Sequence, residues 1–316
     1  MHKRKIAIIL ACIILPVLFF IPVSISFAKN TPNDNLIIHF INVNHGDCTF
    51  IEFPNGKTIL IDSGEKDTNL AEEIISYVKK RGYKKIDSYM LTSPLPRSVG
   101  NSAQIVKSLK PSNLYIPDVY NEDRFSHFSQ FLEEILELDL NKIAIDSGLE
   151  FSFGCEFKIL APFPSLSRDS AIDELNLSSF PSDNQIKNVS PFIYVEFMGK
   201  RILLSSHAEK SEELKVMNKY KSGLLDDNEN INLENVTLFK VGDHGSKKAS
   251  LENFIKFLSP EYAVISVGGL NLEGSPSIDT LNSLNQENSV IYRTDVSGTV
   301  KLVVYKDGKY KTQTQN

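Results

Sequence analysis

Two histidines and an aspartate are the first residues here whose types and spacing could do chemistry. His207 lies in Ser205-Ser-His-Ala-Glu209, and His244 follows Asp243 directly in Gly242-Asp-His-Gly-Ser246. Imidazole nitrogens and a carboxylate oxygen are donors that a divalent ion accepts, and His–Asp–His can hold one ion with positions left open. Asp62 is a fourth candidate, at an Asp-Ser-Gly corner after the apolar run Thr58–Ile61. Its default role is to brace the corner by hydrogen bonds. His45 and Asp47, in the Asn44-His-Gly-Asp47 stretch, read as polar turn residues.

The run Leu91-Thr-Ser-Pro-Leu-Pro-Arg-Ser-Val-Gly100 offers other chemistry. Ser93 and Ser98 are candidate nucleophiles, which would need a base in reach and an oxyanion hole. Pro94 and Pro96 supply no N–H donors for one. The Arg97 guanidinium could clamp a phosphate or a carboxylate. The plainer reading is an ion pair with one of the 39 acidic residues.

Strand and helix signals alternate along the chain and would position these groups. Leu36–Val43, Cys48–Phe53 and Thr58–Ile61 read as strands joined by turns at 44–47 and at Pro54-Asn-Gly56. Asn69–Lys80 has Leu70, Ile74, Ile75 and Val78 at helical spacing and stops before Gly82. Ser88–Leu91 and Asn113–Ile116 read as strands, Ala103–Leu109 and Arg124–Leu138 as helices. The stretch 162–189 is rich in Ser, Pro, Asp and Asn and reads as a long loop. Beyond it, Phe192–Met198 and Arg201–Ser205 form a hairpin, and Asn235–Val241, Tyr262–Val267, Val290–Arg293 and Thr299–Tyr305 are strands. Helices are expected at Glu209–Tyr220, Leu251–Leu258 and Ser277–Gln286. With no convincing linker, this is a single α/β domain over residues 36–312.

Residues 1–28 stand apart. A basic start, His2-Lys-Arg-Lys5, precedes an apolar run and a Ser26-Phe-Ala28 ending, the layout of a secretory signal peptide or of an N-terminal membrane anchor. Either way the globular part is expected to be exported, with membrane contact only through residues 6–25 if they stay attached. Loss of Lys3, Arg4 and Lys5 leaves 31 basic against 39 acidic residues, a formal charge of −8. An acidic chain without a long Lys/Arg block carries no strong nucleic-acid footprint. Cys48 and Cys155 are too few for a disulfide scaffold or a structural zinc site.

Several segments, in order, resemble the metallo-β-lactamase fold and, within it, the soluble domain of the competence protein ComEC and its stand-alone relatives. They are His39-Phe-Ile-Asn-Val-Asn-His-Gly-Asp47, Pro54 to Gly64, Leu91 to Gly100, Asn188-Val-Ser190, Leu203 to Lys210, Lys240 to Lys247 and Tyr292 to Thr299. The resemblance implies a four-layer αββα sandwich. It also implies a one- or two-metal hydrolytic centre built on an H-x-H-x-D-H run. The ligands are replaced: by correspondence, Ser93, Leu95, Arg97 and Ser98 stand where that run would be. His207 replaces a bridging aspartate, Asp243 the first histidine of His-His-Gly-Ser, and Ser275 falls near a late histidine. The family's geometry would bring His207, Asp243 and His244 to one rim, and would let His207 act as base to a serine. The resulting expectation is an exported binding or scaffold module without a cofactor. The alternative is a phosphodiesterase- or nuclease-like hydrolase using zinc or manganese on a remodelled site of His207, Asp243, His244 and Asp62. A third possibility is anion binding through Arg97.

Overall fold

The computed structural model describes residues 34–117, 126–149, 151, 153–161, 190–225, 231–269 and 274–315. The leader and the 162–189 loop expected from sequence lie outside these residues, as does Arg124.

Among the described residues, fourteen strands form two sheets. The first strands in the chain are β1 (Leu36–Phe40), β2 (Thr49–Glu52), β3 (Thr58–Ile61), β4 (Ser88–Met90), β5 (Asn113–Pro117) and β6 (Asn141–Ile145). Next come β7 (Glu156–Ala161), β8 (Phe192–Phe197), β9 (Lys200–Ser205), β10 (Leu238–Lys240), β11 (Tyr262–Ile265) and β12 (Val290–Arg293). The last two are β13 (Val300–Val304) and β14 (Tyr310–Thr314). One sheet has the order β14-β13-β1-β2-β3-β4-β5-β6 and the other β12-β11-β10-β9-β8-β7. Strands β3 to β6 pair in parallel, as do β9 to β12.

Period-two alternation divides the side chains of each sheet between two cores. Leu36, Ile38, Phe40, Ile59 and Ile61 join Ile193, Val195, Ile202, Leu204 and Val264 between the sheets. Their alternates, among them Phe50, Leu60 and Tyr89, face a helical layer of α1 (Thr68–Lys80), α3 (Ser102–Leu109) and α4 (Ser126–Glu134), reached after the short α2 (Pro96–Val99). On the other sheet, Tyr194, Leu203, Phe239 and Ala263 face α5 (Lys210–Lys221), α6 (Glu252–Leu258) and α7 (Ile278–Gln286); a short α8 (Thr294–Ser297) follows β12. Both faces of the inner parallel strands such as β3, β10 and β11 are covered, hence their near-continuous burial. The layer order is αββα.

Three strands escape the sequence patterns for physical reasons. In β6, Asn141 and Lys142 are exposed, so no apolar alternation betrays it. The edge strand β14 reads Tyr-Lys-Thr-Gln-Thr with much of its length in solvent, which suits an edge that must not recruit another chain. In β7 five successive buried residues mask any period of two. Strand β1 ends at Phe40 and not at Val43, although Ile41 and Val43 are still buried in the helix-facing core. No helix among the described residues is long and apolar enough to cross a membrane.

Candidate functional site

Parallel β–helix–β units place the carboxyl ends of their strands together, where open α/β sheets bind ligands. Here the segments after β3, β4, β9, β10 and β11 meet the β1–β2 turn at one rim. The segment after β10 is a single 3₁₀ turn, Gly242–Gly245, with left-handed backbone at two successive non-glycine residues: Asp243 at φ 42° and His244 at φ 58°. Such conformations cost of order 1–3 kcal/mol each and persist only where surroundings enforce them. The Asp243 N–H donates to Ser206 O at 2.9 Å, and His244 Nδ1 lies 2.9 Å from Ser266 O. A carbonyl only accepts, so Nδ1 carries the proton and the neutral ring presents a lone pair at Nε2. That Nε2 is buried and has no hydrogen-bond partner.

Asp47, His207 and His244 form a buried group. One potential ligand atom from each lies within 4.8 Å of the others. Lys240 Nζ stands 2.7 Å from Asp47 Oδ2 as an ion pair, although neither Asp47 oxygen is in a well-directed hydrogen bond. Burial works to raise the Asp47 pKa, but Lys240, His244 and His207 together outweigh it and hold the carboxyl below its ordinary range. Burial depresses His244 to about 4, against the pull of Asp47. His207 Nε2 is 2.9 Å from Ser98 Oγ, and the His207 and His244 rings meet edge to face at 5.2 Å.

The other residues singled out by sequence fall around this group. Asp243 Oδ1 is 3.9 Å from His207 Nδ1, too far for a hydrogen bond, and Oδ2 accepts from the Ser246 hydroxyl at 2.6 Å. Asp62 accepts from the Thr92 N–H at 2.8 Å and the Thr92 hydroxyl at 2.5 Å. It therefore braces the loop after β4 and is not one of the close three. Burial pushes its pKa up to about 6, with His207 and Thr92 opposing. Ser93 Oγ accepts from the Leu95 N–H at 3.3 Å. Of the two serines, Ser98 is the one brought to His207. Arg97 lines a cavity of about 10 Å³ with His45, His244 and Ser275, room for roughly one water.

Asp47 and Lys240 are the partners that sequence patterns missed. Asp47 passed as turn chemistry, yet it is 3% exposed. The available signal was Lys240, a lysine inside the buried strand Leu238–Lys240: a charge there requires a counter-ion.

Tight backbone contacts fix the rim. Ser63 Oγ donates to Ser98 O at 2.9 Å, and the Asn101 side-chain amide donates to Ser63 O and Glu65 O. Gly46 has φ +107°, and a Cβ built on it would lie 2.4 Å from Arg97 O. The Gly46→Ala variant is therefore expected to lose about 2–3 kcal/mol from backbone strain and displacement of the Arg97 segment. Chemical denaturation measures this directly; a loss below 0.5 kcal/mol, roughly the surface-substitution range, would show that the rim gives way easily.

The two-ion centre implied by the resemblance does not fit these residues. Leu95 has no donor atom, Arg97 brings a fixed positive charge, Ser93 is turned to its own loop and Ser98 is engaged by His207. What remains is the group of Asp47, His207 and His244.

Two covered sheets, parallel runs and a rim of strand ends define a protein of the metallo-β-lactamase fold, and its structural neighbours have that fold. Among curated proteins the chain is similar to ComE operon protein 3 of Bacillus subtilis (strain 168), 24% identical over 280 residues, covering 84% of this chain and 32% of that protein. It is also similar to Recombination protein 2 of Haemophilus influenzae, 24% identical over 272 residues, covering 84% of this chain and 29% of that one. The chain thus spans about a third of the length of these relatives. A solved mutant of CmlA beta-hydroxylase superposes with TM-score 0.51 at 11% identity, over 88% of this chain and 55% of that one. No family model matches the chain.

Proposed function

We propose that this protein is an exported binding or scaffold module that keeps the metallo-β-lactamase fold without its two-ion hydrolytic centre. The observation that carries the reading is the Ser98–His207 hydrogen bond at 2.9 Å. It ties the loop after β4 to the end of β9, across the space that the loop ligands of a two-ion centre and its substrate would share. The cavity left beside it, about 10 Å³, is far smaller than the several hundred cubic ångströms of a small-molecule site. Export is supported by the layout of residues 1–28, and partner binding by similarity to segments of much longer proteins.

The test is hydrolysis of a bis(aryl) phosphate and of single- and double-stranded DNA by the purified chain, with and without zinc and manganese. Turnover is expected to stay at background in every case. Metal-dependent hydrolysis that disappears in His207→Ala would replace this reading with the remodelled hydrolase.

A further inference from the structure

We propose that Asp47, His207 and His244 form a single-ion site for a divalent transition metal, with zinc or cobalt as the suited ions. This goes beyond the binding-module reading and does not depend on it, since hydrolysis is not what it concerns. The ligand set is also not the loop-centred one that the fold resemblance implies. Asp47 corresponds to none of those ligand positions, and none of the four loop residues takes part.

The chemistry begins at His244. Its Nδ1 is committed to Ser266 O at 2.9 Å, so Nε2 offers a lone pair inside the protein with no donor to receive it. An unpaired buried acceptor is costly, and its natural partner is an electrophile. A ring N–H donating to a backbone carbonyl is also how metal-bound histidines are ordinarily oriented. This same lone pair disfavours the anion-binding alternative at Arg97: a phosphate oxygen beside His244 Nε2 would place acceptor against acceptor.

The neighbours complete a donor set. The Asp47 carboxylate is paired with Lys240 through Oδ2 at 2.7 Å, and one potential ligand atom from each of Asp47, His207 and His244 lies within 4.8 Å of the others. Lys240 thus orients the carboxylate and leaves one oxygen for an ion. The Ser98 contact holds His207 in the same way, through Nε2. Two nitrogens and one oxygen suit zinc or cobalt and do not suit magnesium or calcium, which take oxygen ligands. Tetrahedral bonds of about 2.0–2.1 Å put ligand atoms roughly 3.4 Å apart. The observed spacing of up to 4.8 Å therefore has to contract on loading. Such an ion would staple the β1–β2 turn to the ends of β9 and β10, three segments far apart in sequence.

The experiment loads the chelator-stripped full chain with Co²⁺ and removes excess ion. One Co²⁺ per chain is expected, with visible absorption of a nitrogen- and oxygen-ligated ion and no sulfur charge-transfer band. Zn²⁺ should displace it and raise the melting temperature. His244→Ala and His207→Ala are expected to lose both the ion and the stabilisation, while replacement of the exposed His127 by alanine keeps both. Should the site variants fail to fold, the wild-type chain still decides the matter. Its Co²⁺ form must give paramagnetically shifted N–H resonances from two imidazoles. Stoichiometry near zero, full retention in a folded His244→Ala, a thiolate band or fewer than two shifted imidazoles would each overturn the proposal.

Discussion

Replacing Lys240 by alanine is expected to destabilise the chain by about 3–5 kcal/mol, the usual cost of stranding one member of a buried ion pair. Lys240 and Asp47 are 3% exposed each and 2.7 Å apart, and the lysine sits between buried residues in β10. In the variant the Asp47 carboxylate stays in the protein with no cation beside it, and the lost methylenes leave a void. Urea denaturation at neutral pH in the presence of chelator reads the loss as a lower midpoint at unchanged slope. The pair itself is expected to contribute much less than this number. The double variant Lys240→Met with Asp47→Leu removes both charges at similar volume and should recover most of the loss. A single-variant loss under about 1 kcal/mol would mean that water reaches Asp47.

That ion pair also shows where sequence reasoning stops. The apolar runs of β1 to β5 and β8 to β13, and the helix built on Leu70, Ile74, Ile75 and Val78, were legible because burial imposes a period on residue types. Strand β14 has no fully buried residue, so it leaves no clear period. The site was legible only in part. His207, Asp243 and His244 stand out by type, and all three do reach one rim, yet which of them approach one another depends on backbone conformation. Left-handed φ at Asp243 and His244 leaves Asp243 bonded to Ser246, and Asp47, from a turn 196 residues before Asp243, joins the histidines instead. Asp62 shows the converse. Its corner motif indicated a bracing role, and its two bonds from Thr92 supply one. Local turn chemistry was readable from neighbouring residues, while a contact between distant segments is set only by the three-dimensional fold.

Glu52→Ala is expected to cost about 3–5 kcal/mol at a place remote from the strand-end rim, because the buried Glu52 carboxylate is the acceptor for a partly buried network. His39 Nε2 and Arg81 Nε both lie 2.8 Å from Oε1, and the Tyr83 hydroxyl donates to Oε2 at 2.9 Å. His39 is fully buried; with its Nε2–H given to Glu52, its Nδ1 accepts from the Tyr77 hydroxyl at 2.8 Å. Removing the carboxylate strands an imidazole N–H and a phenol at once. Glu52→Gln should cost less, since it keeps the shape, but its amide faces three donors and can accept on one oxygen only. Acid tests the same network. Burial works to raise the Glu52 pKa, but bonds from His39 and Arg81 outweigh it and leave the folded value below the ordinary 4.5. A carboxylate with a depressed folded pKa contributes stability above its unfolded pKa, and that contribution fades as pH falls through the folded one. His39 acts in the same direction: burial lowers its pKa from 6.5, so the unfolded chain takes up a proton first and stability declines as pH drops below about 6.5. The contribution of this network to the wild-type denaturation midpoint should therefore fall between about pH 6.5 and pH 4, against an opposing gain from Asp62, and continue falling below that as Glu52 protonates. Glu52→Gln should flatten the lower part of the profile and leave a decline from His39. A profile identical to wild type would place the acid sensitivity in other carboxylates and reduce Glu52 to a packing residue.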